Sequence, residues 1–338
     1  MIHKNFDPDH QPTVSVVLLD WSVRERFQAL EWLNRQEARR DSFEIIWIDL
    51  YNRVVPEALE MADMVVTLNQ QGMYHKHKAY NEGLLLARGD LVTICDSDAV
   101  FHPRFIDSIL EHFRDGSGGV QPLVLMHHEW RTADLYPDGM NSIEELSRHR
   151  WLDLWPNVGA CMTVRKQDAL RYGGFDEHRI FRGYLCGPYD LGWRLVNAGL
   201  PETWAEPDIA LWHFAHPDPP ASLSSGFSLR RWLEVRAPHL KYHALAAVEA
   251  FSSGRLLPRR ENPMIFSKRM NIRRIGTEYE KDYANLCGPE GFSWTYWLGR
   301  YALLGLEGLA RLIRPRAKLA RSWLSGAVRR MPWMRRNG

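Results

Sequence analysis

Two aspartates separated by one serine, Asp96-Ser-Asp98, follow directly on the apolar run Leu91-Val-Thr-Ile-Cys95. Carboxylates so spaced at the end of a strand can share a hard divalent cation. Mg2+ or Mn2+ takes oxygen ligands and is usually held by one or two carboxylates together with substrate phosphates. The same triplet in a loop also describes a solvated turn, so its weight depends on what surrounds it. Asp20 and Asp49 close two further apolar runs, Val14-Ser-Val-Val-Leu-Leu and Glu44-Ile-Ile-Trp-Ile. Downstream, Leu211-Trp-His213-Phe-Ala-His216 supplies two imidazoles, a residue type that serves as a metal ligand or as a structural group. The cluster Met73-Tyr-His75-Lys-His77-Lys78 is rich in cations. Lys78 is its candidate contact to diphosphate oxygens, as a point charge, and a solvated basic loop accounts for the cluster equally well.

These residues need elements to place them. The run at 14–19 has the length and β-branched content of a buried strand, and Phe27, Leu30, Leu33 and Asn34 then follow at helical spacing. A second strand at 44–49, a third at 65–68, a helix at 78–87 and a fourth strand at 91–95 continue the alternation. Strand, helix and strand in this order predict an α/β domain with a mostly parallel sheet flanked by helices on both faces. Ligands of such open sheets sit beyond the carboxyl ends of the strands, where Asp20, Asp49, Asp96 and Asp98 stand.

The stretch from Lys78-Ala-Tyr-Asn-Glu-Gly through Ala87-Arg-Gly-Asp to Cys95-Asp-Ser-Asp98 resembles the family 2 glycosyltransferases of the GT-A fold. There a segment of the form A-x-N-x-G-x-x-x-A-x-G-D leads into a strand ending in a metal-binding DxD. The likeness continues in order. The strands at 14–19 and 44–49 are similar to the family's first two, Val158-Gly-Ala-Cys-Met-Thr-Val-Arg165 precedes the family-like Gly173-Gly-Phe-Asp-Glu177, and Asp190-Leu-Gly-Trp-Arg-Leu-Val-Asn-Ala-Gly199 is similar to the acceptor-side helix. These motifs span roughly residues 13 to 216.

The resemblance implies a GT-A domain that binds a nucleotide-sugar donor with Mn2+ or Mg2+. It assigns Asp98 to the metal and Asp96 to the metal or the ribose, with His213 or His216 completing the site. It places Trp21 where an aromatic stacks on the nucleobase and Asp49 where an acid meets the base, although the second acid usual after that strand is Leu50 here. A general base is commonly written Glu-Asp-x-Asp-Leu; aligning on Asp190-Leu puts Gly187 and Pro188 in that place. The carboxylates left near the reaction centre are Asp190, Asp176 and Glu177, with Asp190 and Glu177 the catalytic candidates. Asp190 also opens a helical pattern, where its ordinary role is a cap.

The chain has 338 residues, 45% hydrophobic and 25% charged, which excludes wholesale disorder and collagen-like repeats. Its four cysteines, Cys95, Cys161, Cys186 and Cys287, lie far apart and read as reduced thiols rather than a zinc ribbon or a disulfide scaffold. No run reaches the roughly 18 apolar residues of a membrane span and no signal-peptide apolar region opens the chain, so a cytoplasmic location is expected. The net charge of +2 conceals a split: residues 295–338 hold ten Lys and Arg against Glu307 alone. Read as a helix, 297–314 gathers Arg300, Glu307, Arg311 and Arg314 on a narrow face opposite Trp297, Leu298, Tyr301, Leu304, Leu309 and Leu312. That is the composition of a segment lying on an anionic membrane surface, or of a helix docked on the catalytic domain. Nucleic acid is not expected, because the remainder is acidic.

Three parts are therefore expected: a catalytic domain at 1–220, an acceptor-side region at 221–294, helical at 228–254 and turn-rich after it, and basic amphipathic helices at 295–338. The expected activity is metal-dependent sugar transfer from a nucleotide sugar to a glycan or lipid-linked acceptor in cell-surface polysaccharide or glycolipid assembly, peripheral on the inner face of the membrane. The stereochemical outcome, inverting or retaining, stays open. Two alternatives stand beside it. One is a non-catalytic nucleotide-sugar-binding or scaffold protein, motivated by Gly187-Pro188. The other is a sugar nucleotidyltransferase, disfavoured because Asp20-Trp-Ser-Val-Arg-Glu lacks a glycine-rich phosphate loop.

Overall fold

The computed structural model describes residues 1–216, apart from 73, 115, 118, 150, 152, 157–160 and 178–188, together with 262–270 and the single positions 302, 305, 306 and 309. The expected helix at 228–254, Gly187-Pro188, Cys186, Cys287 and nearly all of the basic tail lie outside the described residues.

Eight strands form the main sheet: β1 (Ile2–Lys4), β2 (Val14–Asp20), β3 (Phe43–Asp49), β4 (Met64–Thr67), β5 (Leu91–Asp96), β7 (Val124–Met126), β10 (Cys161–Arg165) and β11 (Glu202–Trp204), in the order β1-β4-β3-β2-β5-β10-β7-β11. The run β4-β3-β2-β5 is parallel, as the strand-helix alternation predicts. β10 runs antiparallel between β5 and β7, and opposite Cys95 it sets Cys161, so two cysteines distant in sequence become cross-strand neighbours.

Every residue of β2 and β3 is buried. Successive side chains point to opposite faces of a strand. Val14, Val16 and Leu18 accordingly enter one core with helices α1 (Gln28–Leu33), α2 (Pro56–Met61) and α4 (Phe105–Phe113). Val17 and Leu19 enter a second core with α3 (Lys76–Leu86), α6 (Lys166–Arg171) and α7 (Tyr189–Asn197). A one-residue slip would exchange these sets, so the pattern specifies the register.

The motif residues have packing reasons. A Cβ on Gly83 would meet Val17 Cγ1 at 2.3 Å, so glycine lets α3 lie directly on β2. Asn81 accepts from the Phe175 amide at 2.7 Å and donates to the Phe175 carbonyl at 2.8 Å, which ties α3 to the Gly173-Gly-Phe turn. Gly174 in that turn has φ +59, and a Cβ there would lie 2.5 Å from Asn81 Oδ1. Buried Glu44 is satisfied by Ser15 Oγ at 2.5 Å and by the Arg88 amide and Nε at 2.7 and 2.9 Å, which holds the turn before β5.

A second, four-stranded sheet has the order β6-β12-β8-β9, built from β6 (Ala99–Val100), β8 (His128–Leu135), β9 (Asp153–Pro156) and β12 (Leu211–Ala215). The remaining helices are α5 (Ile143–Arg148), which opens on a Ser142–Glu145 capping box, and α8 (Pro263–Met270). The latter sets one helix within the stretch 255–294, of which only residues 262–270 are described. Asn262 Oδ1 accepts from the Met264 amide at 2.9 Å and Pro263 takes the first helical position, an N-terminal arrangement that the Asn-Pro pair encodes.

Candidate metal and donor site

β5 ends at Asp96, and the chain turns through Ser97 and Asp98 into β6. β12 lies antiparallel to β6 with His213 opposite Ala99, so the imidazole arrives beside Asp98 by strand register. His213 Nε2 and His216 Nε2 stand 3.8 and 3.4 Å from the same Asp98 oxygen, and the two rings stack at 5.6 Å. Ligand atoms of Asp98, His213 and His216 all lie within 4.8 Å of one another, a separation that one ion can span. Both histidines are therefore brought beside Asp98.

Glu129 on β8, 2% exposed, stands 2.5 Å from His213 Nδ1 and is itself contacted by Arg131 at 3.1 Å. A carboxylate on one ring nitrogen sets the tautomer and aims the other nitrogen at the ligand position. Burial disfavours the charged His213 ring, but Asp98 and Glu129 outweigh it and raise its pKa to about 9. Asp98 is buried, which opposes ionisation, yet Arg24 and the two histidines hold its carboxyl well below the usual range. A carboxylate and two imidazoles fit a divalent first-row ion, and the nitrogen donors favour Mn2+ over Mg2+.

Asp96 does not join that group. Lys76 Nζ lies 2.8 Å from both of its oxygens and Tyr80 Oη donates to it at 3.4 Å. The lysine at this end of the sheet is thus Lys76, whereas Lys78, the expected phosphate contact, is exposed on α3. At 100° per residue Lys76 and Tyr80 share one side of the helix and Lys78 is turned away. His75 and His77, from the same cluster, are buried against the carbonyls of Glu177 and Asp176 at 3.1 and 2.5 Å.

Trp21 follows β2 and is 8% exposed. Its ring stacks on Tyr74 at 5.2 Å, with the Arg24 guanidinium carbon 5.0 Å and Lys76 Nζ 4.8 Å from its centroid. The aromatic expected for a nucleobase is here the hub of the protein's own aromatic and cationic contacts. Asp49 accepts from the Ser22 amide and hydroxyl, the Tyr51 amide and the Arg53 amide at 2.7 to 3.1 Å. It holds Ser22 at φ 62, a left-handed conformation uncommon outside glycine. Its carboxylate is committed to closing this turn. Beside it, Asp20 is pushed up to about 6 by burial, with the Asp49 charge adding and Arg24 opposing.

Among the acids near the acceptor-side helix, Asp190 is buried, pairs with Arg194 at 2.9 Å and accepts from the Asp176 amide at 3.0 Å. Burial opposes its ionisation, and Arg194 and His77 overcome that and hold its pKa far below the usual range. A buried, paired carboxylate of this kind is a poor proton acceptor. Asp176 is also buried, while Glu177 is half-buried and accepts from Asn81 at 2.9 Å and Asn262 at 2.6 Å.

Sequence reasoning passed over Arg24, Lys76, Glu129 and Asn262. Asn262 carried a signal, the Asn-Pro pair before a helix. The other three are set by tertiary pairing.

The mostly parallel central sheet with flanking helices, with acids gathered at the carboxyl ends of its parallel strands, is that of the GT-A fold. Residues 28–174 match the family model described as Glycosyl transferase family 2. Over that stretch, which is less than half of the chain, the protein is similar to the family 2 glycosyltransferases. The matched stretch contains Asp49, Lys76, Asp96, Asp98 and Glu129, while Trp21, Glu177, Asp190, His213 and His216 lie outside it. No curated protein matches the chain. Similar solved structures include the mannosyltransferase PcManGT from Pyrobaculum calidifontis in complex with GDP-Man and Mn2+, at 17% identity and TM-score 0.47 over 96% of this chain and 86% of that one. Another is S. aureus TarS 1-349 in complex with UDP-GlcNAc, at 11% identity and TM-score 0.45 over 81% of this chain and 79% of that one.

Proposed function

We propose that the protein transfers a sugar from a nucleotide sugar to a glycan or lipid-linked acceptor, with a divalent ion held by Asp98, His213 and His216. The convergence of these three side chains, from β5–β6 and from β12 and the residue following it, carries the reading. A metal bound there supplies Lewis-acid stabilisation of the departing diphosphate. The chain's own residues do the rest. Glu129 fixes the His213 ring, the backbone turn held by Asp49 keeps Trp21 and Arg24 at the strand ends, and Lys76 adds positive charge beside Asp96. Glu177 is the proposed proton acceptor for the attacking hydroxyl, because it keeps partial exposure where Asp176 and Asp190 are buried.

The donor is identified by thermal stabilisation across a panel of nucleotide sugars with and without Mn2+. A ligand at a hundred times its Kd stabilises the folded state by about 2.7 kcal/mol, well within detection. One nucleotide sugar should raise Tm in a Mn2+-dependent manner and then release its sugar to an acceptor or to water. Stabilisation by none of them would end the proposal.

Association with anionic membrane through residues 295–338 belongs to the same reading. Its support is the ten basic residues of that segment and the helical, exposed positions 302, 305, 306 and 309. No helix among the described residues is long and apolar enough to cross a membrane. Binding of the full chain to anionic vesicles should weaken with salt, since about 1 kcal/mol per basic residue is electrostatic.

A further inference from the structure

Arg24 sits where a metal bound at Asp98 would have to displace it. Its side chain is 4% exposed, Nε donates to Ser97 Oγ at 3.2 Å, and Nη2 stands 2.7 Å from Asp98 Oδ2. That is the same oxygen that His213 and His216 face. A dication between those ligands would share Asp98 Oδ2 with a guanidinium, and two cations competing for one oxygen exclude each other. Nη2 meets Asp98 as a charge and makes no aligned hydrogen bond, so a buried donor is left for another acceptor. The Arg24 carbonyl is separately held by Arg53 Nη1 at 2.8 Å, so the side chain can turn while its backbone stays. A planar guanidinium matches two oxygens of a phosphate, and the Trp21 face beside it keeps the cation in place.

We propose that Arg24 is the counter-cation of Asp98 in the metal-free protein and becomes a diphosphate ligand when metal takes that carboxylate, so metal and nucleoside diphosphate bind cooperatively through one side chain. This rests on reading Asp98, His213 and His216 as the metal site. The coupling is reciprocal: metal frees Arg24 for the diphosphate, and the diphosphate draws Arg24 off the metal's ligand. Lys76 provides the contrast, because it carries the same charge against the same indole but pairs with Asp96, outside the three-ligand group.

The test is titration of the full chain with Mn2+, followed by loss of the free-ion electron paramagnetic resonance signal, alone and with GDP or UDP. In the wild type the nucleoside diphosphate should tighten Mn2+ binding by about tenfold, within the usual range of coupling between sites. Arg24→Gln should bind Mn2+ alone about tenfold more tightly than the wild type and show a smaller tightening by GDP or UDP, the part left by direct contact between the ion and the diphosphate. Lys76→Ala should tighten Mn2+ binding less than Arg24→Gln does, because Lys76 pairs with Asp96 and not with the three-ligand group. Arg24→Lys, which keeps charge without the fork, should retain wild-type Mn2+ affinity with weakened coupling, and it serves if Arg24→Gln fails to fold. Folded Arg24→Gln with unchanged or weaker Mn2+ binding overturns the proposal, as does equal tightening by Lys76→Ala. Wild-type protein that binds no Mn2+ overturns the metal site as well. Mn2+ binding that couples to a diphosphate through Arg24, without any transfer or hydrolysis of nucleotide sugars, would instead count against the transferase reading and support Arg24's role.

Discussion

His213 Nδ1 and Glu129 Oε1 lie 2.5 Å apart, joining two neighbouring strands of the second sheet at the edge of the metal-ligand group. The pairing leaves Nε2 facing Asp98. Glu129→Ala should lower Mn2+ affinity by about 10 to 100-fold, the usual consequence of removing a ligand's outer partner. Glu129→Gln, whose carbonyl can still accept, should fall between the two proteins. Equal affinities for all three by Mn2+ titration would show that the ring is oriented by something else.

Asp98 follows a strand, a position where a carboxylate ordinarily carries little of the fold. The structure gives it a buried partner, so truncating it strands a guanidinium that is 4% exposed. Asp98→Ala should abolish Mn2+ binding and also cost about 3 to 5 kcal/mol of stability in urea unfolding. The double variant Asp98→Ala, Arg24→Ala should recover part of that loss and none of the metal binding. Full stability in the single variant would contradict the pairing.

Asp20 makes a pH prediction. Its carboxyl is raised from 3.8 to about 6 by burial, next to Asp49, so the folded state holds its proton more tightly than the unfolded chain does. The associated stability is complete below about pH 4 and is lost as pH rises through 6. Asp20→Asn keeps an oxygen for the Trp21 and Val23 amides and cannot ionise. It should exceed wild type by about 2 to 3 kcal/mol at pH 7.5 and converge with it near pH 4. A stability gap in urea titrations that widens toward low pH would have the wrong sign.

Asp190 and Arg194 are each 1% exposed at their side chains, and Arg194 also donates to the carbonyls of Tyr172 and Gly174. Asp190 therefore fastens α7 to the Gly173-Gly174 turn. Asp190→Ala should lose about 3 to 5 kcal/mol of stability, with donor binding falling in proportion to the unfolded fraction. A catalytic base would behave otherwise, losing transfer by about 100-fold or more at unchanged stability and donor affinity.

Much of this was legible along the chain. Continuous apolar runs marked β2, β3 and β5 because strands covered on both faces have no solvent side to alternate with. Gly83, Asn81 and Gly174 sit in recognisable motifs because close helix-sheet packing and one positive φ leave few residue types possible. The motif order also named Asp98, His213 and His216, although 115 positions separate the aspartate from the first histidine. Which cation answers which acid was decided in three dimensions. Lys78 and Lys76 are equivalent in composition, and only the rotation of α3 turns Lys76 with Tyr80 toward Asp96 and leaves Lys78 in solvent. Glu129 reaches His213 through the parallel register of β12 on β8, a pairing across some eighty residues that no local pattern announces. Arg24 is committed to Asp98 because two loops, after β2 and after β5, meet at the ends of adjacent parallel strands. Local preference and burial pattern are written in neighbouring residues, whereas the neutralisation of a buried charge depends on which distant segment the sheet order brings beside it.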